Sequence, residues 1–262
     1  MTLFRKTMRD QRRALVGWGA GVVLLVLAES ALWPTVRDMP DFGELLKSYP
    51  EGMRELFNVE AMTTGRGFLN AELFSLLLPA LFITYAVGRG ARLVAGEEED
   101  GTLEVLLVTP LSTGRLLWEK ALALATSVAL LGVVLALGTW LCSLVFGLDL
   151  SLLQVLAGSL AVSALGLEYG LLALAVGAAT ARRAVAVGVA TAAAVAAYVL
   201  YAVALFVDWL ADWRGWSPFE QALSAGPLAG SVPWQLVWVG LAGLVAVALA
   251  APILARRDIA AA

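Results

Sequence analysis

The feature that most constrains this chain is a long stretch without charge. From Ala121 to Phe146 no side chain is charged at neutral pH, and most are Leu, Val or Ala. About 20 apolar residues in a helix cross roughly 30 Å of hydrocarbon. Comparable runs recur, and six spans are read from them: 14–35, 71–88, 118–146, 152–181, 184–207 and 233–255. The expected fold is therefore an all-α membrane protein, with one transmembrane domain over 1–262. Composition agrees, since 60% of the residues are hydrophobic and 15% charged, against about 45–50% and 25% in soluble domains. The first run could be mistaken for a secretory signal, because Ala28-Glu29-Ser30 fits a small-x-small cleavage site. It continues through Ala31-Leu32-Trp33, longer than such a signal needs, and is read as a retained span.

The basic residues set the orientation. Six spans put both termini on one side, and that side carries thirteen Lys and Arg against five on the other. Basic flanks stay in the cytoplasm, so both termini are expected inside. Residues 1–13 hold Arg5, Lys6, Arg9, Arg12 and Arg13. They read either as an interfacial segment on the cytoplasmic face or as an ordinary stop-transfer flank. Outside, Asp41-x-x-Glu44 and Ser48-x-x-Glu51 fit capping boxes and predict short amphipathic helices within 38–70. Trp209, Trp213 and Trp216 fall where an outer interfacial belt is expected, in a second outer segment over 208–232. Gly17, Gly19, Gly21 and Gly188 predict first and fifth spans packed against protein on several sides.

Several chemistries are excluded. The chain has no histidine, which removes His-based triads, His metal sites and His proton switching. A single cysteine, Cys142, forms no intramolecular disulfide and no thiolate cage. No metal site and no catalytic residue is expected. A net charge of −3 argues against a nucleic-acid partner.

The informative polar stretch is 96–112, between the second and third spans. Glu97, Glu98, Glu99 and Asp100 are followed by Gly101, Thr102, Leu103 and Glu104, then Leu106, Leu107 and Pro110. Leu103, Leu106 and Leu107 form one stripe at helical spacing. Pro110 stops that run, and Ser112 is placed to cap the helix entering the third span. The pattern predicts a short helix with acids at its start, where the macrodipole favours them. Such a helix is a docking element or, equally on these residues alone, a solvated connection whose leucines pack on the chain's own span ends. The second candidate is Glu168, midway along the fourth span beside Tyr169. A central charge costs about 2.5–3.5 kcal/mol on insertion scales, so it should face the bundle interior. It reads as a polar point on a transport path or interface, or as a satisfied hydrogen bond to Tyr169 or a Thr.

The acidic run followed by Gly101-Thr102-Leu103-Glu104, Leu106-Leu107 and Pro110 resembles the cytoplasmic coupling element of type-2 ATP-binding-cassette permeases, exporter type. Trp33–Asp38 with Gly67–Phe74, and Ser217–Glu220 with Gly226–Leu228, are similar to stretches of the same family. The resemblance implies a permease paired with a second copy of itself or a related chain, and a separate ATPase subunit that carries ATP and Mg. It implies that the carboxylates meet basic residues on that ATPase and that the leucines fill its groove. This chain is expected to bind no cofactor. Gly96 and Gly101 have P-loop spacing, but no Lys follows Gly101 and four acids lie between the glycines, which would repel phosphate.

The expected function is outward movement of a hydrophobic substrate, such as a drug, antibiotic or lipid, across a cell membrane. Fifteen Arg against three Lys, with abundant Ala, is an association with bacterial sources. Two alternatives stay open: a proton-coupled transporter using Glu168, and a membrane anchor for an ATPase that moves nothing. An intramembrane enzyme has almost no residues to work with.

Overall fold

The structure is a computed structural model, and it describes residues 3–39, 63–102, 112–224 and 226–257. Six long apolar helices are present: α1 (Leu3–Arg37), α2 (Gly65–Glu99), α3 (Thr113–Phe146), α4 (Leu152–Thr180), α5 (Arg183–Val203) and a last helix, α8 (Leu236–Arg256). Two short helices, α6 (Asp208–Ala211) and α7 (Pro218–Leu223), lie between α5 and α8. No strand occurs among the described residues. The outer capping boxes at 41–51 lie outside the described residues.

Three helices are longer than the apolar runs suggested. At about 1.5 Å per residue, α1, α2 and α3 are each roughly 50 Å long, well beyond the hydrocarbon thickness. Residues 3–13 continue α1 without a break. Their start is fastened to α3, where the Phe4 N–H donates to Glu119 Oε2 at 3.2 Å. The 71–88 run is the middle of α2, which carries two π-helical turns (Asn70–Phe74 and Arg92–Gly96) and an irregular backbone at Leu76, φ −142°. At the other end of the chain, α5 stops at Val203 and α8 starts at Leu236, inside the apolar runs.

Local chemistry explains the boundaries. Ser112 caps α3 by accepting from the Arg115 N–H at 3.3 Å. Ser151 and Gln154 form a reciprocal capping box at the start of α4, satisfying two otherwise orphaned donors. Gly147 ends α3 at φ +66°, a left-handed conformation that costs glycine little. Trp33 on α1 donates from Nε1 to the Gly147 carbonyl at 3.2 Å, closing that end of the α1–α3 pair.

Helix α4 is the centre of the bundle. It packs against α2, α3, α5 and α8, while α1 lies along α3. The α2–α4 seam is built on glycine. A Cβ at Gly90 would stand 2.1 Å from the Gly170 carbonyl oxygen, one at Gly170 would stand 2.8 Å from Ala86 Cβ, and one at Gly166 would stand 3.0 Å from Phe82 Cβ. Small residues let helix backbones approach in lipid, where burial of apolar surface gives no net drive between helices. The glycines of the first and fifth spans do not serve this purpose within the chain. Gly17, Gly21 and Gly188 have nothing within 4 Å of an added Cβ, and only Gly19 meets a neighbour, Val134. Within the single chain, α1 and α5 are enclosed far less than α2 or α4, with 22% of each apolar stretch buried against 61% and 67%. Small residues permit close approach, but the partner's matching surface decides where it happens.

Between α5 and α8 the chain folds back on the bundle. Ser217 caps α7, accepting from the Phe219 N–H at 3.2 Å and donating to the Ala197 carbonyl at 2.8 Å. Phe219 sits among Tyr169, Tyr198 and Tyr201 with ring centroids 5.3–6.4 Å away. Trp209, Trp213 and Trp216 are all exposed. Trp209 and Trp216 stand on two short helical pieces and Trp213 in the turn between them, rather than on a continuation of α5.

Candidate functional site

The acidic run sits where most helix ends meet. Glu97, Glu98 and Glu99 form the last turn of α2, and Asp100 and Gly101 end it. The Thr102 N–H donates to the Glu97 carbonyl at 2.8 Å and the Gly101 N–H to the Glu98 carbonyl at 3.1 Å. With Gly101 at φ +66°, this is a Schellman termination. The glycine of the Gly-Thr pair is therefore a helix stop. Thr102 Oγ1 adds a bond to the Glu97 carbonyl at 3.1 Å.

The short helix expected after the acids lies outside the described residues, so the placement bears only on α2. The glutamates lie at the C-terminal end of α2, where the helix dipole disfavours carboxylates. Each one is matched by a donor from elsewhere in the chain. Glu97 pairs with the ammonium of Lys120 on α3, which is wholly buried and also donates to the Leu93 carbonyl. Glu98 accepts from the guanidinium of Arg257, just past α8, at 2.6 Å. The same guanidinium donates to the Ala178 carbonyl near the end of α4 at 2.5 Å. Glu99 accepts from the backbone N–H of Arg183 at 2.7 Å, at the N-terminus of α5, where a carboxylate is favoured. Successive helix residues project about 100° apart, so three neighbouring glutamates reach three different helices.

Asp100, Gly101 and Thr102 are exposed at the tip of this turn. Leu103, Glu104, Leu106, Leu107 and Pro110 lie outside the described residues. Beside the acidic run is a cavity of about 360 Å³ whose wall includes Lys6 and Asp10 of α1, Arg89 and Arg92 of α2, and Asp100. Among the described residues, no group of three or more His, Cys, Asp or Glu side chains is placed to hold a metal ion.

Glu168 and Tyr169 are apart from this cluster, within α4. Glu168 is 9% exposed and Tyr169 3%. Glu168 lies beside α8, where a Cβ at Gly243 would stand 3.3 Å from its Cα. The Tyr169 ring faces Phe219 at 6.3 Å. Glu168 Oε2 and the Tyr169 hydroxyl are buried without a hydrogen-bond partner among the described residues. Among the described residues, neither Tyr169 nor a Thr satisfies Glu168 Oε2.

Sequence reasoning missed the partners of the glutamates. Lys120, Arg183 and Arg257 had served only to count positive charge at span ends. For Lys120 and Arg257 that count held a usable signal, because cations gathered at the same membrane face as four acids will find them; Arg183 meets Glu99 through its backbone N–H instead. Gly101 was legible too, as a glycine directly after a helical run.

A family model described as "ABC-2 family transporter protein" matches residues 1–212. The match takes in α1 to α5, the glutamates and Glu168. No curated protein and no solved structure matches the chain.

Proposed function

The chain belongs to the ABC-2 transporter family, and on that premise we propose that it is the permease subunit of an exporter whose ATPase is a separate polypeptide. The family supports a multi-pass membrane component of an ATP-binding-cassette transporter, a role that is generally not catalytic in itself. In our reading both termini are cytoplasmic, and the segment 96–112 faces the ATPase. ATP and Mg act on that partner, and a second copy or a related permease completes the transport unit. The substrate is hydrophobic, such as a drug, antibiotic or lipid, and it leaves a bacterial cell across the plasma membrane.

The observation that carries this reading is the acidic turn at the end of α2. It joins an exposed tip to the ends of α3, α4, α5 and α8. A displacement imposed at the tip therefore has a bonded route into the spans. The decisive experiment is purification of the tagged protein in mild detergent, followed by mass spectrometry of what accompanies it. The expected result is a stoichiometric nucleotide-binding ATPase that, co-reconstituted in vesicles, drives ATP-dependent transport. A chain recovered alone, with no ATPase crosslinked to it in native membranes, would overturn the reading. One observation favours a second reading, a proton-coupled transporter: Glu168 Oε2 is buried without a partner. That reading requires transport to stop when an ionophore collapses the proton gradient while ATP is kept constant. A third reading, a membrane anchor for an ATPase, predicts the ATPase without any transport.

A further inference from the structure

We propose that Glu97, Glu98 and Glu99 act within the permease rather than on the ATPase, as a three-way clamp that makes the span ends move together. This rests on the permease reading and deepens it. Each carboxylate is already engaged. Glu97 is the ionic partner of a wholly buried ammonium, Lys120. Glu98 holds Arg257, and Arg257 holds the Ala178 carbonyl, so one contact gathers α2, α4 and the end of α8. Glu99 sits on the first backbone N–H of α5. A carboxylate so engaged spends acceptor capacity inside the chain, and Glu97 and Glu98 are half-buried as well, whereas Glu99 keeps an exposed edge. The contact surface for the ATPase therefore centres on Asp100, Gly101 and Thr102, which are exposed and make no ion pair within the described residues. The glutamates carry its movement to four helices.

Arg257 is the residue that makes the proposal testable. It is separated from Glu98 by 159 positions, and its place in the sequence suggests no role beyond topology. In the complex of the permease with its ATPase, reconstituted in vesicles, three variants are compared: Glu98→Arg, Arg257→Glu and the two together. Substrate moved per ATP hydrolysed is measured beside the amount of ATPase retained. Each single reversal is expected to lower the transport-to-hydrolysis ratio at least fivefold while the ATPase stays bound. The exchanged pair is expected to recover to within about threefold of wild type. Recovery falls short of complete because a carboxylate in place of Arg257 cannot donate to the Ala178 carbonyl. Loss of the ATPase from the Glu98→Arg complex, not regained with the exchanged pair, would overturn the proposal and place Glu98 on the ATPase.

If the reversals do not fold, Glu98→Gln and Arg257→Gln replace them. A contact acting as a unit makes the double variant no worse than the more affected single one. Independent, multiplying losses would overturn the proposal. The permease reading and the clamp fail differently. A wild-type complex without ATP-driven transport sinks the permease reading. The same glutamine cycle read by melting temperature still tests whether Glu98 and Arg257 act as a pair.

Discussion

Gly90 is where the bundle is most exposed to a single methyl group. A Cβ there would meet the Gly170 carbonyl oxygen at 2.1 Å, against about 3.3–3.6 Å for an ordinary carbon–oxygen contact. The obstacle is backbone, so no rotamer change relieves it, and α2 and α4 must separate by about 1 Å. Overpacking of this kind costs about 1–3 kcal/mol, and a rigid obstacle places Gly90→Ala towards the upper end. Alanine also gains about 0.8–1.0 kcal/mol over glycine in a helix interior, which leaves a net loss of roughly 2 kcal/mol. Gly88→Ala isolates the opposing term, because nothing lies within 4 Å of a Cβ at Gly88. The two variants should therefore differ by about 3 kcal/mol. At about 2–4 °C per kcal/mol for a chain of 150–250 residues, the midpoints should separate by roughly 6–12 °C. The assay is thermal unfolding of the purified proteins in one detergent, followed by size-exclusion chromatography of the fraction still monodisperse. Coincident midpoints for Gly90→Ala and Gly88→Ala would refute the α2–α4 seam as the tightest packing in the molecule.

Three further outcomes follow from other contacts. Glu97→Ala strands the buried Lys120 ammonium, at a cost of about 3–5 kcal/mol; Glu97→Gln with Lys120→Met should recover most of it, read as melting temperature, and no recovery would mean that Lys120 is held by other groups. Gly101→Ala places a Cβ in open space at φ +66°, so its cost is conformational alone, about 1–2 kcal/mol; Gly101→Asn should cost less, and hydrogen exchange at the last turn of α2 reports both. Ser217→Ala removes the α7 cap and the bond to Ala197 for about 1 kcal/mol, and faster proteolysis between α5 and α8 is the expected sign.

Much of the architecture was legible because hydrocarbon punishes charge wherever it occurs along the chain. All six apolar runs appear as helices, and Ser112 caps α3 as its position implied. The ends were less legible. Residues 3–13 and 89–99 are polar enough to look like flanks, yet they continue α1 and α2, because helix propagation does not stop at the membrane surface. The glycines were read by number rather than by face. Gly17, Gly21 and Gly188 resemble Gly90 and Gly170 in one dimension, and only the second group meets another backbone.

The acidic run shows where the division falls. Its residue types, its place after the second span and the helix-stopping Gly101 are properties of the sequence, set by local conformational preference and by the hydropathy pattern. Which donor each glutamate meets, the Lys120 ammonium, the Arg257 guanidinium or the Arg183 backbone N–H, is a property of the tertiary structure alone. The partners lie 23, 159 and 84 positions away. They are selected by the 100° turn between successive helix residues and by the order in which α3, α5 and α8 surround the end of α2. No spacing rule links such positions; they are joined by the packing of helices around α4.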